Sequence, residues 1–311
     1  MKYRVLKGEL VIDGRSPDGD TVGFRLDPER LGDWVWPGAR MGRFPKLNRG
    51  GVANVRFEAI DALELHFTVQ GVWPQVTSHQ DLELARGARN EMLALCGFDV
   101  SRLQEDEGCT LHDPDEQAKA AVVAYREIDP YGRIVGFVFG PEDAPPLSTT
   151  QKPEVFLSPE VLLRSINAEL LREGWVFPTY YGGLDHGARD ALSSSFARAR
   201  SNGIGVWGRH EDSVILPRKP TIEEIESLML MPKIYRRLVT HIARNGAVSN
   251  FVASLSDDVV VDTVHTRLCD LGAFVDVDGP LPATAEQRTP DRVPYRLRLT
   301  RGPEQLVFMP G

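Results

Sequence analysis

Three short segments of the chain bring carboxylates and arginines together at spacings that suit phosphodiester chemistry. They are Asp18-Gly19-Asp20-Thr21, then Arg56 followed by Asp61 and Glu64, then Asp129-Pro130-Tyr131-Gly132-Arg133. Cutting a phosphodiester needs a charge sink for the crowded phosphorus, a base for the attacking water and groups that orient both. Carboxylate and carbonyl oxygens can hold a hard divalent cation as part of that sink. An arginine fork meets two phosphate oxygens at once and supplies the rest. Each residue also has a plain structural reading. Asp18 and Asp20 suit a turn, Arg56 and Glu64 suit the surface of an edge strand, and Arg133 can simply flank a tight turn.

The three motifs, in this order, resemble those of the staphylococcal nuclease (thermonuclease) family, which shows Asp-Gly-Asp-Thr, Arg-x4-Asp-x2-Glu and Tyr-Gly-Arg. Two later segments add to the likeness: residues 166–174, with Asn167 in a helix ending at Gly174, and residues 196–207, ending in Gly205-Val206-Trp207. The resemblance covers about residues 5–208 and implies a metal-dependent nuclease acting on DNA and on RNA. Carried onto this chain, it makes Asp20 and Asp61 carboxylate ligands of Ca2+, with the backbone carbonyl of Ala62 as a third. Mg2+ or Mn2+ also suits such an oxygen-only site. Glu64 becomes the general base, and Arg56 and Arg133 grip the phosphate. Tyr131, Tyr180 and Tyr181 fall where the family places aromatics that contact nucleotide, with core packing as the other reading of Tyr180 and Tyr181. The chain has Ala62-Leu63 where the family usually has Thr-Pro. Two other readings stay open: a non-catalytic relative that binds nucleic acid or protein, and a nuclease gated by a partner through its C-terminal part.

These residues need a scaffold, and the hydrophobic pattern supplies one. Strands are expected in KGELVI, DTVGFRL, VANVRFEAI and the pair AVVAYREI and RIVGFVFG around an Asp-Pro-x-Gly turn. Helical spacing marks residues 81–96, 159–173 and 188–201, with Ser158 as an N-cap and Gly97 and Gly174 as stops. The expected class is α+β: a five-stranded OB-fold Greek-key β-barrel with three packed helices over residues 1–210. The proline-bearing stretch LPRKPTIEE reads as a linker. Beyond it, residues 215–311 read as a smaller α+β domain with a helix capped by Thr221, a second helix in MPKIYRRLVTHIARNG and a terminal hairpin. Nothing in that part reads as catalytic, so packing, homo-oligomerisation or docking of a protein partner is its expected role.

The net charge of −8 opposes nucleic-acid binding, but it is unevenly spread. Residues 99–143 carry eleven acids against four bases, whereas residues 40–56 hold Arg40, Arg43, Lys46, Arg49 and Arg56 and no acid. With Trp34, Trp36 and Phe44 interleaved, that basic loop suits a single-stranded nucleic-acid surface at Arg40 and Arg43, or else is a solvated hairpin tip. No apolar run long enough for a membrane span occurs. Three cysteines without Cys-x-x-Cys spacing argue against disulfides and thiolate zinc, so the expected setting is the cytoplasm.

Overall fold

Five strands rich in β-branched and aromatic residues dominate the first part of the chain. In the computed structural model, which describes residues 2–26, 44–115, 117–144, 154–263, 267–284 and 286–309, they are β1 (Lys2–Val11), β2 (Thr21–Leu26), β3 (Val52–Phe57), β4 (Lys119–Ile128) and β5 (Ile134–Phe139). They lie in the order β1-β2-β3-β5-β4, and β4 returns to pair with β1, closing a five-stranded barrel. All neighbours are antiparallel except β3 and β5, which run parallel with Val55 opposite Ile134. Closure leaves no free edge, and the inward side chains, among them Leu6, Phe24, Val55 and Phe137, are fully buried. A short strand, β6 (Glu154–Phe156), extends the sheet beside the start of β1. The chain is thus mixed α+β around an OB-like barrel, with six α-helices among the described residues.

The first helix, α1 (Leu82–Leu95), starts where the carboxylate of Asp81 accepts the Leu84 N–H, and buries Ala85, Ala88, Met92 and Leu93. The single helix expected over 159–173 is two: α2 (Pro159–Leu162) and α3 (Ile166–Arg172). Ser165 makes the break. Its hydroxyl donates to the Leu162 carbonyl at 2.7 Å and accepts the Ala168 N–H at 3.2 Å, ending one helix and capping the next. The third expected helix is α4 (His186–Ser201), capped by Asp185. Gly174 stops α3 with φ of +75°, and a Cβ there would lie 2.5 Å from the Ile204 carbonyl, so glycine is required.

The remainder departs further from expectation. Part of the supposed linker is a strand, β7 (Ser213–Pro217). Helices α5 (Ile222–Glu226), with its Thr221–Glu224 capping box, and α6 (Pro232–Ala243) follow. Strands β8 (Val259–Asp262), β9 (Arg267–Asp270), β10 (Val275–Asp278), β11 (Pro294–Leu299) and β12 (Leu306–Phe308) complete it. The expected terminal hairpin does not form. β11 lies between β7 and β10, whereas β12 lies between β8 and the short strand Tyr180–Tyr181, parallel to the latter. The 3-10 turn Pro303–Gln305 redirects the chain between the two sheets. One continuous cluster of buried side chains runs from the barrel (Leu6, Phe57) through α6 (Ile234, Tyr235, Leu238) to Phe308. Among the described residues, no helix is long and apolar enough to cross a membrane.

Candidate active site

The β2–β3 ladder places Thr21 opposite Arg56, so Asp20, the residue before Thr21, lies next to the arginine. The Phe57 N–H donates to the Asp20 carbonyl at 2.8 Å, which fixes that corner. After β3 the chain reverses through Ala59, at φ of +69°, a left-handed conformation that costs a non-glycine residue roughly 1 kcal/mol. The reversal carries Ile60–Asp61 into pairing with Phe177–Pro178 and swings Asp61 back onto Arg56. Gly19 is needed in the same corner, because a Cβ there would come within 3 Å of the Ala62 and Ala88 methyls.

Arg56 is consequently surrounded by oxygen. Its Nη1 lies 3.0 Å from Oδ2 of Asp20 and donates to the carbonyls of Phe57 (3.0 Å) and Ile60 (2.8 Å). Its Nη2 donates to Oδ1 of Asp61 at 2.9 Å. Asp20 also accepts the Ala62 N–H at 2.8 Å and the Thr21 hydroxyl at 3.0 Å. Asp20, Arg56 and Asp61 thus gather into one network.

That network has a member which the sequence did not announce. Arg236, on α6, donates from Nη2 to Oδ2 of Asp61 at 2.8 Å and from Nη1 to Oδ1 at 3.2 Å. The same Nη1 is ion-paired with Oε1 of Glu64. A lone arginine in an amphipathic helix carries no distinguishing spacing, so only the tertiary structure reveals it.

Burial and charge set the protonation of these groups in opposite directions. Burial pushes Asp20 up to about 7; Arg56 works against this, and Asp18 and Asp61 add to it. Burial raises Asp18 as well, reinforced by Glu64. Glu64 is raised by burial against the pull of Arg236. Burial would raise Asp61 too, but Arg236 and Arg56 outweigh it and hold it below the usual carboxylate range. The guanidinium of Arg236, despite burial, is held charged more firmly than usual by Asp61 and Glu64.

The other candidates lie differently. Arg133 is pinned to its own hairpin turn, with Nε 2.6 Å from Oδ2 of Asp129 and its charge over the Tyr131 ring at 5.5 Å. Tyr131 is 76% exposed beside it. Tyr181 is half-buried, with its ring 6.0 Å from that of Phe308. Tyr180 is wholly buried and its hydroxyl is hydrogen-bonded with Ser193, which leaves it no face for a ligand. Arg40 and Arg43, with the tryptophans of their loop, lie outside the described residues.

The chemistry of the donor set suits a hard divalent cation. Every donor is an oxygen, and Oδ1 of Asp18 is buried without a hydrogen-bond partner. The arrangement is another matter. Among the described residues, no three histidine, cysteine, aspartate or glutamate side chains are grouped to hold a metal ion. Both oxygens of Asp61 and one of Glu64 face guanidinium instead. No family model and no curated protein matches the chain.

Proposed function

We propose that this protein is a phosphodiesterase acting on nucleic acid, of the staphylococcal-nuclease kind, with its barrel an OB-fold Greek key. One observation carries the reading: Asp20 from one stretch of chain meets Arg56 and Asp61 from another in a buried ion-pair network, which Glu64 joins through Arg236. A coincidence of surface residues has no reason to converge in this way. The β1-β2-β3-β5-β4 order with its single parallel pair supports the fold.

In this reading, Glu64 orients and deprotonates the attacking water; its raised pKa makes it a better base than a free carboxylate. Arg56, held by two carboxylates and two carbonyls, presents a fixed positive charge to the phosphate as its charge grows. Arg133, one-third exposed, approaches the leaving oxygen from the hairpin side. Tyr131 offers a ring to a base of any identity. A divalent cation, Ca2+ by the resemblance, would be held by Asp20, Asp61 and the Ala62 carbonyl and would supply further neutralisation of phosphate charge. The engagement of Glu64 by Arg236 favours a second reading, a nucleic-acid-binding module without catalysis.

The test is cleavage of single-stranded DNA, double-stranded DNA and RNA with Ca2+, Mg2+ or chelator. Metal-dependent cutting is expected, with Glu64→Gln and Arg133→Ala each reducing it by about 100-fold or more. Cutting that survives both substitutions would overturn the assignment. Binding of polynucleotide without any cutting would favour the second reading.

A further inference from the structure

We propose that the guanidinium of Arg236 stands in the place of the reaction's divalent cation, so that the metal and Arg236 exclude one another at Asp61. The inference rests on the nuclease reading and adds to it the regulation of the site. A dication bound by Asp61 needs an oxygen at about 2.3–2.6 Å. Arg236 already lies bidentate across that carboxylate, at 2.8 and 3.2 Å, and also engages Glu64. Both oxygens of Asp61 already meet guanidinium, from Arg56 and Arg236, so a dication that coordinates Asp61 directly has to displace Arg236 from it.

The charge balance points the same way. Arg56 faces Asp18, Asp20 and Asp61, Arg133 and Lys233 add attraction at Asp18 and Asp61 in turn, and Glu64 is paired with Arg236. The excess of carboxylate calls for a further cation, and in this structure α6 delivers it.

The delivery is built into the fold. Next to Arg236, the Tyr235 side chain is buried, and its hydroxyl donates to the His79 carbonyl and is hydrogen-bonded with the Ser78 hydroxyl. Gln80 donates from Nε2 to the Leu230 carbonyl at 2.8 Å, and Glu226 accepts from the Ser78 hydroxyl and the His79 N–H at 2.9 and 3.2 Å. Gln80 also holds Glu64: its backbone N–H donates to the Glu64 carbonyl at 2.8 Å, and its Oε1 accepts the Glu64 N–H at 3.3 Å. Residues 78–80 therefore tie the proposed base and the helix carrying Arg236 to one another. The contact is specific to the position. Arg237, the next residue, turns instead to Asp258.

Calcium titration of the full chain by calorimetry tests this, using wild type, Arg236→Gln and Arg236→Gln combined with Asp61→Asn. Arg236→Gln is expected to bind one Ca2+ at least tenfold more tightly than wild type, and the added Asp61→Asn to abolish the gain. Equal affinity of wild type and Arg236→Gln, or no binding by Arg236→Gln, would overturn the proposal. Hydrogen exchange of wild type keeps the question answerable if the variant folds poorly. Saturating Ca2+ is expected to speed amide exchange across Pro232–Ala243, and bound Ca2+ with unchanged exchange there would refute it. The two readings fail separately. A calcium-loaded Arg236→Gln protein that cuts no polynucleotide would sink the nuclease reading alone. A wild type that cuts nucleic acid, with calcium affinity equal to the variant's, would sink the exclusion alone.

Discussion

At the scale of single residues, the chain holds a second buried ion pair that no motif or spacing marks. Glu58, two residues beyond Arg56, is 5% exposed and paired with Arg126, which also donates to the Gly183 carbonyl. Burial pushes its carboxyl up to about 7 against the attraction of Arg126. The folded chain therefore keeps this proton at pH values where the unfolded chain, with an ordinary value of 4.5, has lost it. The contribution to stability is complete below that ordinary value and drains away as pH rises through about 7, by up to about 3 kcal/mol. Comparing chemical denaturation of wild type and Glu58→Gln from pH 4 to 8 should show a steeper fall in wild type than in the variant, which keeps the slope that Asp20 contributes. A parallel pH dependence in both would refute the assignment. Residue by residue, the motif positions were legible because they repeat a spacing. Glu58 and Arg236 were not, because what distinguishes them is the company they keep in space.

At the scale of elements, one polar side chain joins α3 to the barrel. Asn167, fully buried, accepts the Val138 N–H at 3.0 Å and donates to the carbonyls of Glu58 and Gly136 at 2.8 and 3.2 Å. It thereby satisfies the backbone where β5 bulges between Val135 and Gly136 and where β3 ends. Asn167→Leu takes this partner from the Val138 N–H and the Glu58 carbonyl, at roughly 1–3 kcal/mol each, while the Gly136 carbonyl keeps the Glu58 N–H at 2.8 Å. Urea unfolding should show a loss of about 2–4 kcal/mol; a loss under 1 kcal/mol would mean that water replaces the amide. Strands and helix starts were largely readable, since alternation and capping residues are local signals. The break at Ser165 was missed because a serine inside an amphipathic run also fits a helix. Pairing partners were missed for a related reason. The strand character of β11 and β12 is local, but which strand each one meets depends on the turn at Pro303–Gln305 and on distant segments.

Taken whole, the molecule joins its two parts through structure rather than through a tether. β12 pairs with Tyr180–Tyr181, and α6 packs against residues 78–80. The buried cluster is continuous across both parts. Calorimetry of the full chain should accordingly show one cooperative unfolding transition. A chain ending at residue 210 exposes the surface that Met231, Ile234, Tyr235 and Phe308 cover, and should lack a sharp melt. Two resolved transitions, or a sharply melting truncated chain, would show that the barrel stands alone. Prolines and charges cluster at 216–224 and suggest a linker, yet Leu216 is buried as β7 pairs with β11.

The separation of Arg236 from its partners along the chain also has a consequence in time. Asp61 and Glu64 precede it by more than 170 positions, and the last barrel strand is finished at Phe139. A ribosome adding about 5–20 residues per second makes the roughly one hundred residues in between in about 5 to 20 seconds. For that interval each nascent chain carries Asp61 and Glu64 before Arg236 has been made. Until α6 emerges and docks, Asp61 has only Arg56 to pair with, and Glu64 lacks the guanidinium that it meets in the finished fold.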